Sequence, residues 1–417
     1  MKNILFVIAI FLSVPFFSQS AKVGSIDWKG VERMNINFMI DFIETKVNQP
    51  LDSIKLNNDV YALTRLNGIS NVTYTVAKKD TFFTVTFQII ENWSLLPNVS
   101  LWTSAEASAA YRIGLFDYNF LGKNNTIGAY YQNNAVSSFG FFYAAPFLFS
   151  TNLGLEASFQ KQSSIEPLFI NTQPARYEYT NTGIELLAAY RIDFQNAIRF
   201  GVNVFSEKYQ YLSGATANGV PQFLELTKTM LKSNYTYDNL KYDFYLISGI
   251  RNNFFAQYVF SSNNFQDNFK IAWNDFSYFK RLGNSGNWAT RVRFGLSSNE
   301  NTPFAPFALD NNVNIRGVGN LIDRGTGMFV INTEFRNTLI EKNWFVLQGN
   351  TFMDAGSWRL PGGNFNDFID KNNVRFFAGV GLRFIHKTIF NATFRIDYGF
   401  GLTERSQGLV FGIGQYF

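Results

Sequence analysis

One arrangement in this chain has well-defined chemistry: an arginine in a loop, followed at strand spacing by two carboxylates. The stretch reads N-N-V-N-I-R-G-V-G-N (Asn311 to Asn320), then G-T-G-M-F-V-I-N-T-E-F-R (Gly325 to Arg336), then F-M-D-A-G-S-W (Phe352 to Trp358). The second and third pieces alternate as strands do, so Phe329, Ile331, Thr333 and Phe335 share one face while Val330, Asn332, Glu334 and Arg336 share the other. Phe352, Asp354 and Gly356 likewise fall on one face. Glu334 and Asp354 can then converge from neighbouring strands on one spot, where Arg316 can land from the preceding loop. A planar guanidinium between acceptor oxygens makes a strong, geometrically specific contact. Taken singly, each residue reads as an ordinary surface group; the combination carries the expectation.

Other chemistry is poorly provided for. The chain has no cysteine, which excludes disulfides, thiolate metal sites and a lipidated N-terminal Cys. Its single histidine, His386, argues against a multi-histidine metal centre and against imidazole-based acid–base work. Near a strand end it reads as a rim residue. No Ser/His/Asp grouping stands out, no cofactor is called for, and the expectation is a protein that is not an enzyme. The net charge of +5 comes without a dense Lys/Arg run, so nucleic acid is not an expected partner.

The composition says what must position the Arg316 group. Aromatics reach 18%, with 47 Phe, while charged residues are only 16%. A transmembrane antiparallel β-barrel fits this, since alternate residues face lipid and the others face a polar lumen. From about Leu95 onward there is no convincing helix. Alternating segments of roughly ten to eighteen residues follow one another, punctuated by Asn, Gly, Ser or Asp. In one, Phe376, Ala378, Val380, Leu382 and Phe384 alternate with Phe377, Gly379, Gly381 and Arg383. In the next, Phe394, Ile396, Tyr398 and Phe400 alternate with Arg395, Asp397, Gly399 and Gly401. Sixteen such segments can be counted, the first near 96–104 and the last near 408–417. The last must pair with the first, because lipid cannot satisfy free edge amides. Gly412 and Gly414 leave that last strand weak in side-chain packing, and Phe417 ends it.

Two further segments precede the barrel, which is expected over 95–417. Residues 1–20 read as an export signal: Lys2, an apolar core from Ile4 to Phe17, and small residues Ser18 and Ser20. Residues 22–92 read as a small α/β domain of order β-α-α-β-β. Val23 to Trp28 is a strand, and Ile36, Met39, Ile40, Ile43 and Val47 recur at helical spacing up to Pro50. Asp52 and Ser53 can cap a second helix bearing Leu56, Val60, Leu63 and Leu66. Alternating strands around Val72 to Val76 and Phe83 to Ile89 complete it.

With these residues in view, the sequence resembles the outer-membrane assembly and secretion superfamily, which includes barrel-assembly insertases and two-partner-secretion transporters. Ile315, Arg316 and Gly317 match its (Val/Ile)-Arg-Gly loop motif. Phe352, Asp354 and Gly356 match its F-x-D-x-G strand, and Glu334 matches the acid on the strand between. Y-R-I-G-L-F-D-Y-N-F-L-G (Tyr111 to Gly122) is similar to the second barrel strand of the family. Val318 departs, standing where the family has Tyr or Phe, and Gln415 replaces an aromatic near the end. The resemblance implies one POTRA domain in the periplasm before a sixteen-stranded barrel in the bacterial outer membrane, with the Arg316 loop locked in the lumen. It also implies a seam that opens, with lipid, unfolded client polypeptides and other outer-membrane or periplasmic subunits as partners. The expected function is insertion or translocation of client polypeptides. The alternative is a passive channel, or a structural or accessory barrel subunit of a larger complex.

Overall fold

Amphipathic patterning over residues 22–91 produces a three-stranded sheet covered by two helices. These are β1 (Lys22–Lys29), α1 (Ile36–Phe42), α2 (Ser53–Thr64), β2 (Ile69–Lys79) and β3 (Phe82–Glu91). The structure is a computed structural model, and it describes residues 22–417 apart from 80, 103–109, 171–172, 219, 244, 262–266, 300–304, 310–312, 319–322 and 390–392. The export segment expected over 1–20 lies outside the described residues. β3 is central, parallel to β1 and antiparallel to β2. Met39, Phe42, Leu56 and Leu63 from the helices pack on Val23, Val85 and Phe87 of the sheet. Asn35 and Asp52 cap the helices, their side chains accepting first-turn amides.

The first helix is shorter than its apolar spacing predicts, ending at Phe42 instead of continuing to Val47. Its end is set by Asp59, a buried carboxylate on α2, which accepts the amides of Glu44 (2.6 Å) and Thr45 (3.0 Å). Those bonds draw the chain out of the helix and leave Asn48 at φ 68°. The beginning of β1 is covered by this same segment through Val23 N–H to the Gln49 carbonyl. β2 is therefore the sheet's open edge, with Thr75 to Lys79 exposed.

Sixteen long strands form the barrel. They are β4 (Leu95–Trp102), β5 (Ala110–Phe120), β6 (Asn125–Asn134), β7 (Val136–Ala145), β8 (Leu153–Ile170), β9 (Gln173–Arg191), β10 (Asn196–Gly214) and β11 (Phe223–Asp238), and, after the three-residue β12 (Lys241–Asp243), β13 (Leu246–Ser261), β14 (Phe269–Leu282) and β15 (Gly286–Ser297). A loop with a small pair, β16 (Phe307–Leu309) and β17 (Asp323–Gly325), leads to β18 (Gly327–Glu341), β19 (Phe345–Arg359), β20 (Val374–His386), β21 (Thr393–Gly401) and β22 (Gln407–Ile413). Neighbours are antiparallel and the sheet closes with β22 next to β4. The predicted sidedness holds on β18: Val330, Asn332, Glu334 and Arg336 are buried in the lumen, while Phe329, Ile331, Thr333 and Phe335 point outward and are more exposed.

Among the described residues β22, with seven, is the shortest of the sixteen barrel strands, and β4 is described over eight residues up to the undescribed 103–109. β4 also contains Pro97, which has no amide to give to either neighbour. The last strand differs from the expectation of 408–417. It ends at Ile413, and Gly414, at φ 89°, turns the remaining residues away from the wall. Gly414 and Phe417, expected on the seam, thus lie beyond the strand. Gly412 stays in it and faces the lumen, where a Cβ would meet Arg395 Nη2 at 2.9 Å.

The α/β unit is docked against one mouth of the barrel. Arg65, at the end of α2, pairs with Asp238 (3.2 Å) and donates to its carbonyl, while Tyr61 O–H donates to Leu240 O. Asn67 bonds Asn124 and Tyr118 on the β5–β6 side, and Phe38 and Phe42 pack on Phe147 in the β7–β8 turn.

Candidate functional site

The β15–β18 loop starts at the mouth opposite the α/β unit and folds back into the lumen. Its tip is tied to the wall on several sides. Asn332 on β18 donates to the Asn314 carbonyl (2.8 Å), Arg291 on β15 donates to the Val313 carbonyl, and Ser406, between β21 and β22, donates to the carbonyls of Gly317 and Val318 (both 3.3 Å). Gly317 sits at φ 95° with backbone pressed on Gly399 of β21, where a Cβ would come within 2.6 Å of a carbonyl carbon. A side chain there is excluded by both conformation and space.

Apolar packing completes the seat. Ile315 and Val318 are fully buried with Leu309, Val330, Trp358 and Phe377. Gly356 makes room for this, since a Cβ on it would lie 2.7 Å from Ile315 Cδ1. Val318, where the resembled family carries an aromatic, is held by that cluster without a ring.

Arg316 stands at the centre with no exposed surface. Its Nε and Nη2 bond the two oxygens of Asp354 (2.8 and 2.9 Å), a bidentate fork, and its backbone N–H adds a third bond to Asp354 (3.0 Å). Nη1 bonds Glu334. One face of the guanidinium lies 3.7 Å from the centroid of Phe352, and Tyr416 comes within 4.4 Å of it. The structure therefore brings together Ile315, Arg316, Gly317, Glu334, Phe352, Asp354 and Gly356. Of the three seam residues, Phe417 is drawn into the same lumen, with its carbonyl oxygen 3.4 Å from Arg336 Nη2 and its ring near Phe279.

The network extends past the residues that the motif spacing singles out. Glu334 also bonds Arg336 and Arg383, and Asp397 bonds Arg383 (2.8 Å) and lies 3.4 Å from Arg395. Arg291 bonds Asn332 (3.0 Å) and lies near the rings of Tyr416 and Phe417. Arg383, Arg395 and Asp397 were visible as charges on the glycine face of alternating strands, yet only strand register shows that they reach Glu334. Tyr416 shares the lumen parity of Gly412, yet only the fold shows that its ring reaches Arg316.

In this arrangement carboxylates hold guanidiniums, and among the described residues no cluster of three or more His, Cys, Asp or Glu could take a metal ion. Across the lumen lies a cavity of about 660 Å³, lined in part by Glu185, Arg199, Lys232, Asn234, Phe255 and Trp273. A second, of about 730 Å³, lies between the α/β unit and the barrel mouth, reached by Arg65, Asn92, Tyr245, His386 and Gln415.

No family model matches this sequence and no curated protein is similar to it. Solved structures do share the fold. BamA from Haemophilus ducreyi, lacking POTRA domains 1–3, superposes with a TM-score of 0.58 at 15% identity, covering 94% of this chain and 84% of that one. CdiB from Escherichia coli gives 0.63 at 10% identity, covering 94% and 76%, and CdiB from Acinetobacter baumannii 0.60 at 12%, covering 95% and 74%. At these identities the likeness is one of fold.

Removing either Arg316 or Asp354 strands a buried charge, at a cost of about 3–5 kcal/mol. Arg316→Ala and Asp354→Ala should each lower the resistance of the folded barrel to urea, and the double variant should lose far less than the sum. Additive losses would show that the pair is not coupled. Tyr416→Ala should weaken the same clasp by about 0.5–2 kcal/mol, while Tyr416→Phe keeps a ring on Arg316 and should recover most of the loss.

Proposed function

We propose that this protein is an outer-membrane barrel that assists insertion or translocation of client polypeptides, without covalent chemistry, cofactor or nucleic acid. The reading rests on one observation above others: a loop is clasped inside the lumen by Arg316 between Glu334 and Asp354, in a barrel whose short last strand closes it against β4. Residues 1–20 serve as the export signal. Residues 22–92 form a single POTRA-like domain in the periplasm, below the barrel of residues 95–417. Its partners are lipid around the wall and unfolded clients, with other envelope subunits docking where the α/β unit leaves surface free.

In this reading the clasp keeps the loop and the adjacent wall in one arrangement while the seam gives way. A seven-residue last strand, a proline in β4 and an inward-turned end leave few ladder bonds to lose when the seam opens. The chain has no native cysteine, so one cysteine in β4 and one facing it in β22 should form a clean disulfide. The locked barrel should lose client handling and regain it on reduction. If the locked barrel works as well as the free one, the passive-channel or accessory-subunit reading takes its place.

The open edge of β2 supplies the second test, because an extended client can pair with its free amides whatever its side chains. A proline at an outward-pointing amide of β2 should reduce crosslinking of unfolded clients to the full-length protein without unfolding the barrel. The same change in central β3 should destabilise the α/β unit. Equal crosslinking with and without the β2 proline would assign docking to another surface, such as the helices.

A further inference from the structure

The β19–β20 loop carries an apolar surface that the clasp does not use. After β19 the chain makes two short 3₁₀ turns, Phe365–Ile369 and Lys371–Asn373. Phe365 is 63% exposed and Ile369 82%, a poor arrangement for side chains standing in water. Phe368, between them, is half-buried, with its ring 6.2 Å from that of Phe365. Its ring packs on Phe294 (5.9 Å between centroids), and its Cζ occupies the space above Gly327, where a Cβ would come within 2.8 Å. Phe294 and Gly327 belong to the outward faces of β15 and β18. The turn therefore lies against the outer wall of the barrel, not over its mouth.

Polar bonds fix it in that position. Asp367 accepts the Leu360 amide (3.0 Å), and Asn364 and Asp370 cap the two turns through the amides of Asn366 and Asn372. Asn364, Asn366, Asp370 and Lys371 lie exposed around the apolar residues, which gives the loop one greasy side and one polar side.

The level of this turn on the wall identifies what covers it. Phe294 pairs with Phe329, and Phe329 with Ser357, so all three stand at one height. From Phe345, beside the exposed Trp344 at the other end of β19, to Ser357 is twelve residue steps. At about 3.3 Å per residue and a tilt of about 40°, that is a height of about 30 Å. Trp344 and the Phe294–Phe329 pair then mark the two aromatic borders of a lipid-facing band, and the turn sits at the border far from the α/β unit.

We propose that Phe365 and Ile369 insert into the outer border of the membrane and anchor the β19–β20 loop to lipid. The occupant is acyl chain, because the turn is continuous with the lipid-facing wall and its polar side matches the headgroup layer. The anchor holds β19, which carries Asp354 of the clasp, against vertical displacement when the seam three strands away at β22 opens. This inference rests on the membrane-barrel reading above.

The test uses single cysteines carrying a nitroxide label in the full-length protein, reconstituted in phosphatidylcholine–phosphatidylglycerol vesicles. Labels at Ile369→Cys, Asn364→Cys and Val380→Cys are compared for exposure to oxygen and to a water-soluble nickel chelate; Val380 is an outward, exposed residue of β20. The oxygen-to-chelate ratio at 369 should be several-fold above that at 364 and approach that at 380. A lipid-like ratio at 380 with a water-like ratio at 369 overturns the anchor and leaves the membrane barrel standing. A water-like ratio at 380 overturns both. Spin–spin broadening at 369, with shielding from both reagents, would show a second copy of the chain covering the turn and would likewise overturn the proposal.

Discussion

A guanidinium with no exposed surface is the constraint on which the rest of this molecule depends. Arg316 cannot be lodged in the lumen without acceptors on several sides, since an unpaired buried charge costs more than most other contacts return. Asp354 and Glu334 supply those acceptors from adjacent strands that pair Glu334 with Phe352 and Asn332 with Asp354. A one-residue slip of β18 against β19 would turn one carboxylate to the outside. The clasp and the register of the wall therefore specify each other. The apolar seat of Ile315 and Val318 fixes the depth of the loop, and the charges fix its orientation.

The lumen charges do not balance within the clasp alone. Five guanidiniums, those of Arg291, Arg316, Arg336, Arg383 and Arg395, share three carboxylates, those of Glu334, Asp354 and Asp397. Part of the surplus is accommodated by neutral groups: Asn332 on Arg291 and the rings of Phe352, Tyr416 and Phe417. Aromatic faces stabilise cations without adding a charge that must itself be desolvated. Turning the last residues inward therefore does for Arg316 and its neighbours what further acids would otherwise have to do.

Much of this could be read from residue types at period two. Alternation separated the lumen face from the outer face on β18 and β19, and the convergence of Arg316, Glu334 and Asp354 followed from it. What could not be read depends on tertiary choices. The first helix stops at Phe42 because Asp59, fifteen residues after Glu44, captures amides that local spacing assigned to the helix. The last strand stops at Ile413, where Gly414 takes φ 89° and Tyr416 and Phe417 come to lie at the arginine cluster. Gly412 and Gly414 were the local signs of a weak strand at the closure, and the meaning of Pro97 appears only when β4 is placed beside β22. The turn at Phe365–Ile369 had no period to reveal it, since a single turn between two strands is too short to show one.

The inward turn at Gly414 also links two features that would otherwise be independent. Tyr416 is covalently continuous with the seam strand and stacks on the arginine that holds the loop. Any state in which β22 leaves β4 and carries its end outward must remove that ring from Arg316, and any state in which the loop withdraws must remove Arg316 from the ring. The free energy of this contact is common to both equilibria, so each biases the other by the same amount. At about 0.5–2 kcal/mol the coupling is roughly two- to thirty-fold in population. That is too weak to prohibit opening while the clasp is intact. It is strong enough that displacing the ring would measurably loosen the loop while Asp354 stays in place.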